Sequence, residues 1–188
     1  MEQMSSVKKS TFCALCIALC LVLPPAFHAL GAGAIFLPMH LPVFVCALIC
    51  GWGYGIFCGI AGCVLSSMLT GMPTVAALPA FSVELAVYGL VAGLLFHKIR
   101  TGNTYTDIYL SLIPAMLLGR IAAGVVNAWI FTRGIVYSMA MWASAYFLTS
   151  WPGTVLILVF VPVLIVSLMR AHLIPNRYQE EKKEQKPA

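Results

Sequence analysis

Glu84 and Arg120 stand inside long runs of Leu, Ile, Val, Ala, Phe and Gly. Holding a charge at the centre of a hydrocarbon layer costs about 2.5–3.5 kcal/mol on insertion scales. An acid and a base kept at that cost act on each other or on a ligand. Both readings stay open: an ion pair that fixes helix packing, or two walls of a polar pocket. An Arg guanidinium carries five donors and can serve a carboxylate and a ligand together. Phe81, Glu84 and Tyr88 share one helical face by their i, i+3, i+7 spacing. Arg120, Gly124 and Asn127 share another, and the polar face continues outward to Arg133. At 1.5 Å per residue Glu84 falls roughly 12 Å, and Arg120 roughly 16 Å, below the same membrane surface. The two side chains are therefore expected to meet or to flank one ligand.

Other candidate residues surround this pair. FLPMHLP, residues 36–42, places His40 near the same surface, where it is expected to contribute a polar group to the pocket. Met39 with His40, or His28 with His40, has the chemistry of a metal or haem ligand pair. No Cys, His or Asp cluster with metal-site spacing supports that use, so no metal and no cofactor are expected. Trp129, Phe131, Tyr137, Trp142, Tyr146, Phe147 and Trp151 gather around the last outer loop. They form either an interfacial aromatic belt or a lid over a flat ligand, and Trp151 is taken as a candidate contact. The seven cysteines, Cys13, Cys16, Cys20, Cys46, Cys50, Cys58 and Cys63, all lie in apolar segments. Hydrocarbon disfavours thiolate, so even the C-x-x-C of Cys13 and Cys16 reads as small packing residues. An intramembrane enzyme would need a nucleophile with a base at one depth. Ser66, Ser67 and Glu84 are the only beginnings of one, and no His lies mid-membrane beside them, so no catalytic residue is expected.

The elements that position these residues are membrane helices. Hydrophobic residues make up 61% of the 188, charged residues 9%, against about 25% charged in soluble domains. The length allows about six spans of roughly 20 residues and excludes a soluble domain of useful size. The expected architecture is all-α integral membrane, with six transmembrane helices and structured outer loops. The spans fall near residues 10–30, 38–50, 54–69, 75–96, 108–131 and 153–170, within one membrane domain of residues 1–172. Pro24 and Pro25 are expected to kink the first. Residues 173–188 form a charged cytoplasmic tail without expected structure. The first apolar run has no small-residue cleavage site and reads as a retained helix.

The charge pattern orients the bundle. With the N-terminus inside, Lys8, Lys9, Lys98, Arg100, Arg170, Arg177, Lys182, Lys183 and Lys186 are cytoplasmic, and Arg133 alone falls outside. That is the positive-inside asymmetry, so the net charge of +5 marks topology and not nucleic-acid binding. Linkers 24–37, 70–74 and 132–152 then lie outside. No P-loop sequence is present, so uphill transport would draw on another subunit or an ion gradient. No internal repeat supports a two-half secondary transporter.

Several strings carry a family resemblance. They are the M-H-x-P-V opening of the second helix, the G-x-x-Y-G connection, the L-x-G-M-P outer turn and the E-L-x-x-Y-G run of the fourth helix. With six short helices and an N-terminal A-x-x-x-A, the chain from about residue 10 to 170 resembles a substrate-binding S component of an energy-coupling factor (ECF) transporter. The resemblance implies a high-affinity, non-enzymatic binding subunit in the cell membrane. It implies a vitamin or cofactor precursor as ligand, held near the outer surface. It implies partners too, a transmembrane coupling protein and two cytoplasmic ATPases, with Ala14 and Ala18 as the docking face. The motifs suggest the branch for pantothenate, folate and cobalamin-type compounds. Arg120, Asn127 and Arg133 suit a carboxylate, provided that Glu84 does not neutralise Arg120. The alternatives are a small stand-alone secondary transporter or scaffold, and an intramembrane enzyme.

Overall fold

In the computed structural model, residues 4–29, 31, 36, 38–131, 139–175 and 178 are described. They contain helices and no strand. The helices are α1 (Ser6–Ala29), α2 (His40–Cys50), α3 (Trp52–Thr70), α4 (Leu78–Lys98), α5 (Thr104–Phe131), α6 (Met139–Ala143) and α7 (Trp151–Arg170). A π-helical turn, Ser144–Thr149, joins α6 to α7.

Sequence explains most of the boundaries. Gly51 separates α2 from α3 at φ +102°, and Gly71 ends α3 in the left-handed region at φ +72°, where a Cβ would be strained. Asn103 precedes α5, and its side-chain oxygen accepts the Tyr105 amide at 3.0 Å, which starts the helix a turn earlier than expected. α1 continues through Pro24 and Pro25 to Ala29. The two prolines remove only two backbone donors, and a helix within an apolar bundle tolerates that.

Among the described residues five helices, α1, α3, α4, α5 and α7, are long and apolar enough to cross a membrane. Their outward faces are apolar as well. On α5, Leu110, Ile113, Leu117, Ile121 and Val125 are exposed at i, i+3, i+4 spacing, which suits lipid and not water. α2 departs from the expected six spans. It is apolar but has eleven residues, and every residue except Leu41 and Ile49 is buried. It is the hub of the bundle, in contact with α1, α3, α4 and α7.

Close approach of α3 and α4 holds this hub. A Cβ on Gly55 would come within 2.9 Å of the Gly89 backbone, and one on Gly59 within 2.8 Å of the Leu85 carbonyl. The G-x-x-x-G of α3 thus packs backbone to backbone on α4. α4 also lies along α5. At the end of the bundle that carries the α4–α5 connection, Asp107 is fully buried. It accepts the Thr101 amide at 2.9 Å and the Thr101 hydroxyl at 2.8 Å. The Tyr178 hydroxyl also donates to it, so one residue of the charged tail is tied to the bundle.

Candidate functional site

A cavity of about 560 Å³ opens at the other end of the bundle. Its wall combines the end of α1 (Pro24, His28), the start of α2 (Pro38, Met39, His40) and the turn after α3 (Gly71 to Thr74). Ala77 precedes α4, which supplies Phe81 and Glu84; α5 supplies Arg120 and Asn127; the segment before α7 supplies Tyr146 and Ser150. The α2 lining residues come deep into the cavity because α2 starts partway along the bundle. The Met72–Pro73 peptide bond in the wall is cis.

Glu84 and Arg120 both line the cavity and are both nearly inaccessible, at 2% and 5% exposure. Among the described residues no carboxylate lies within 4 Å of Arg120, so the direct ion pair is absent. Glu84 is held differently. The Tyr88 hydroxyl donates to its Oε1 at 2.5 Å, and His40 Nε2 stands 3.5 Å from the same oxygen. Tyr88 is fixed by stacking on Phe44, with ring centroids 5.0 Å apart. It crosses α5 at Gly119, where any Cβ would land on the ring. His40 is packed against Tyr88 and edge-on to Phe81. Among the described residues, neither of its ring nitrogens has a hydrogen-bond partner.

Arg120 is held by neutral groups. Its Nη2 donates to the Thr154 hydroxyl at 2.6 Å and to the Ser150 hydroxyl at 3.3 Å. The guanidinium lies 5.3 Å from the centroid of the Phe147 ring, a cation–π contact. Its Nε is buried and has no partner among the described residues. A buried guanidinium with no carboxylate within 4 Å among the described residues has the chemistry to receive an anion. Asn127, further out, donates to the Tyr146 hydroxyl at 3.3 Å.

The π-helical turn explains how α6 and its neighbours reach this cavity. π-turns insert one residue per turn and are frequent at functional sites. Here the turn brings Tyr146 and Phe147 over α5. Trp142 precedes it, donates its indole N–H to the Arg120 carbonyl at 3.1 Å and sits on Gly124.

The structure therefore brings Glu84, Arg120, Asn127 and His40 to one cavity, with Tyr88 behind Glu84. Trp151 is 61% exposed and is not part of the wall, because it sits on the outward side of the first turn of α7. Arg133 lies outside the described residues. Ser150 and Thr154 escaped the sequence reading, whereas Tyr146 and the turn at Met72 to Thr74 fall in the aromatic group and the outer linker that it names. Ser150 and Thr154 are four residues apart across the start of the last helix, a hydroxyl pair on one face. That signal was present but hidden in a stretch with no clean periodicity. Ala14 and Ala18 are both exposed on α1, opposite the buried face of Cys13, Cys16 and Cys20.

The family model described as ECF transporter, substrate-specific component, matches residues 8–174. With that match over most of its length, the chain belongs to this family. It is a multi-pass membrane protein and the substrate-binding subunit of an ECF transporter, which works with ECF transmembrane and ATPase modules and is not itself an enzyme. No curated protein and no solved structure matches the chain.

Proposed function

We propose that the cavity is the substrate site, and that its ligand is a vitamin or cofactor precursor bearing a carboxylate. The observation that carries this reading is Arg120: a buried guanidinium with no acid within 4 Å among the described residues and with Nε unpartnered. A ligand carboxylate would supply the missing charge. Glu84 and His40 would meet hydroxyl or amide groups of the same molecule, and Asn127 would hold its outer part. Tyr88 acts by positioning Glu84. Arg133 remains a proposed contact near the mouth. The volume of about 560 Å³ falls within the ~300–1,000 Å³ of small-molecule pockets. It suits a pantothenate- or folate-sized ligand better than a corrin macrocycle.

The reading extends to topology. Residues 1–172 form one membrane unit in which α2 supplies the sixth, partial crossing. Lys8, Lys9, Lys98, Arg100 and Arg170 lie at helix ends remote from the cavity, which supports a cavity open to the exterior and cytoplasmic termini. Ala14 and Ala18, exposed on α1, serve as the face for the coupling protein.

The test is a titration of the purified protein with pantothenate, folate and corrinoids, read by tryptophan fluorescence. Trp142 contacts both Arg120 and Tyr146 and supplies the signal. Saturable binding of a carboxylate vitamin, lost when its carboxylate is amidated, is expected. Binding that ignores amidation would overturn the assignment to Arg120.

A further inference from the structure

The cysteines do not scatter as packing residues do. All seven are buried at 4% exposure or less, and they come from three helices only, α1, α2 and α3. One from each helix converges: the sulfurs of Cys13, Cys46 and Cys58 all lie within 4.8 Å of one another. Two of them point at one spot, since the Cys13 and Cys46 thiols both contact the Tyr54 carbonyl, at 3.8 and 3.6 Å. That carbonyl belongs to the first turn of α3, four residues before Cys58. The cavity wall uses none of the three.

We propose that Cys13, Cys46 and Cys58 form a three-coordinate site for Cu(I). Three arguments select the ion. Sulfur donors in an apolar surround select soft cations. The donor number is three, whereas structural Zn(II) takes four ligands. The third argument is charge. A single Cu⁺ exchanges for one thiol proton, which leaves to water, while the other two sulfurs coordinate through lone pairs. The site keeps its net charge and no oxidant or reductant is consumed. Three thiolates on the same ion would leave two negative charges in hydrocarbon, a cost the helices around it do not offset. Closing the triangle brings the sulfurs, now within 4.8 Å of one another, to separations of about 4 Å, given metal–sulfur bonds of about 2.3 Å. Side-chain rotation in a thiol-rich seam supplies that movement. Cys50, next along α2, contacts the Lys9 carbonyl at 3.6 Å and offers a path from the helix ends. Occupancy ties α1 to the α2–α3 hairpin on the side opposite Ala14 and Ala18, and so stiffens the helix that carries that exposed face.

The experiment uses the full chain, reduced and oxygen-free in detergent, without any vitamin. Cu(I) is delivered from a chromogenic chelator, and X-ray absorption counts the sulfur neighbours. One equivalent bound by three sulfurs is expected, with a raised thermal midpoint. Cys46→Ala is expected to weaken binding by more than the ~10–100-fold that loss of an outer partner costs, and Cys63→Ala to leave it unchanged. The proposal is overturned if the wild-type chain leaves all copper on the chelator. It is equally overturned by two or four sulfur neighbours, or by equal losses in the two variants. Should Cys46→Ala fail to fold, the wild-type stoichiometry and sulfur count decide alone.

Discussion

Replacing Arg120 by Met separates a ligand-binding role from a structural one. The guanidinium has bonds to Thr154 and Ser150 and a ring contact to Phe147, but no carboxylate within 4 Å among the described residues. Both hydroxyls keep acceptors of their own when it is gone: Ser150 donates to the Tyr146 carbonyl at 2.6 Å and Thr154 to the Ser150 carbonyl at 3.0 Å. Arg120→Met therefore strands no donor, fills similar length and removes an unpaired buried charge. Exchanging buried ions for apolar residues of similar volume is often neutral or stabilising by about 1–4 kcal/mol. The ligand-free variant is thus expected to unfold at the same temperature as the wild type or higher. The ligand-bound comparison goes the other way. Losing one partner of a buried charge pair costs about 2–5 kcal/mol, roughly thirtyfold to several-thousandfold in affinity. A ligand at 100 times its Kd stabilises the wild type by about 2.7 kcal/mol; a hundredfold weaker site keeps about 0.4. Arg120→Lys keeps the charge but not the planar fork and falls between the two. The assay is thermal unfolding in detergent with and without the vitamin found by titration, beside a direct affinity measurement. Wild-type affinity in a folded Arg120→Met protein would refute the reasoning. A strongly destabilised ligand-free variant would show that Arg120 is a packing device.

Tyr88→Phe removes the hydroxyl that holds Glu84 and is expected to lower stability by about 1–3 kcal/mol and to weaken the vitamin's affinity; equal affinity would separate Glu84 from the ligand. Gly119→Val places a branched side chain on the Tyr88 ring, with an overpacking cost of about 1–3 kcal/mol, read as a lower thermal midpoint than Gly119→Ala. Ala14→Leu with Ala18→Leu should leave vitamin binding intact while abolishing uptake in vesicles that hold the whole transporter; loss of binding as well would count as misfolding. Tyr178→Phe breaks the bond to Asp107, worth about 1 kcal/mol, and should speed proteolysis of the tail without changing affinity.

Much of this architecture was legible in the sequence because membrane physics restricts the choices. Hydropathy placed the long helices, and the two buried charges pointed to the cavity between α4 and α5. Periodicity put Tyr88 on the face of Glu84. What stayed hidden depends on contacts between segments distant in the chain. The sequence leaves open whether Glu84 pairs with Arg120 or faces a ligand; Tyr88 and His40 hold Glu84, because α2 delivers His40 beside it. Ser150 and Thr154 became visible only once a π-turn shifted the register ahead of α7. A helical wheel drawn at a constant 3.6 residues per turn misplaces residues beyond such an insertion. The cysteines show the same limit. Each alone is a small apolar residue, and only the packing of three helices shows that three sulfurs meet.

The length of α2 links these features. Its eleven residues rise about 16 Å, while the nineteen of α3 rise about 28 Å. The two start from the same end of the bundle, joined by Gly51. α2 therefore stops well short of the level that α3 reaches, and the cavity occupies the space beyond it. A full-length helix in that position would fill the hollow with side chains. The short one ends it with His40, and with Met39 as an N-cap residue whose side chain caps nothing, so the positive end of the helix dipole faces the same space as Arg120. The apolar remainder of α2 has no lipid to meet, and so it is buried among α1, α3, α4 and α7. That burial in turn requires the glycine contacts of α3 with α4, which make room for a central helix without separating its neighbours. A cavity for a polar molecule and a rigid apolar hub are thus two consequences of one truncated helix.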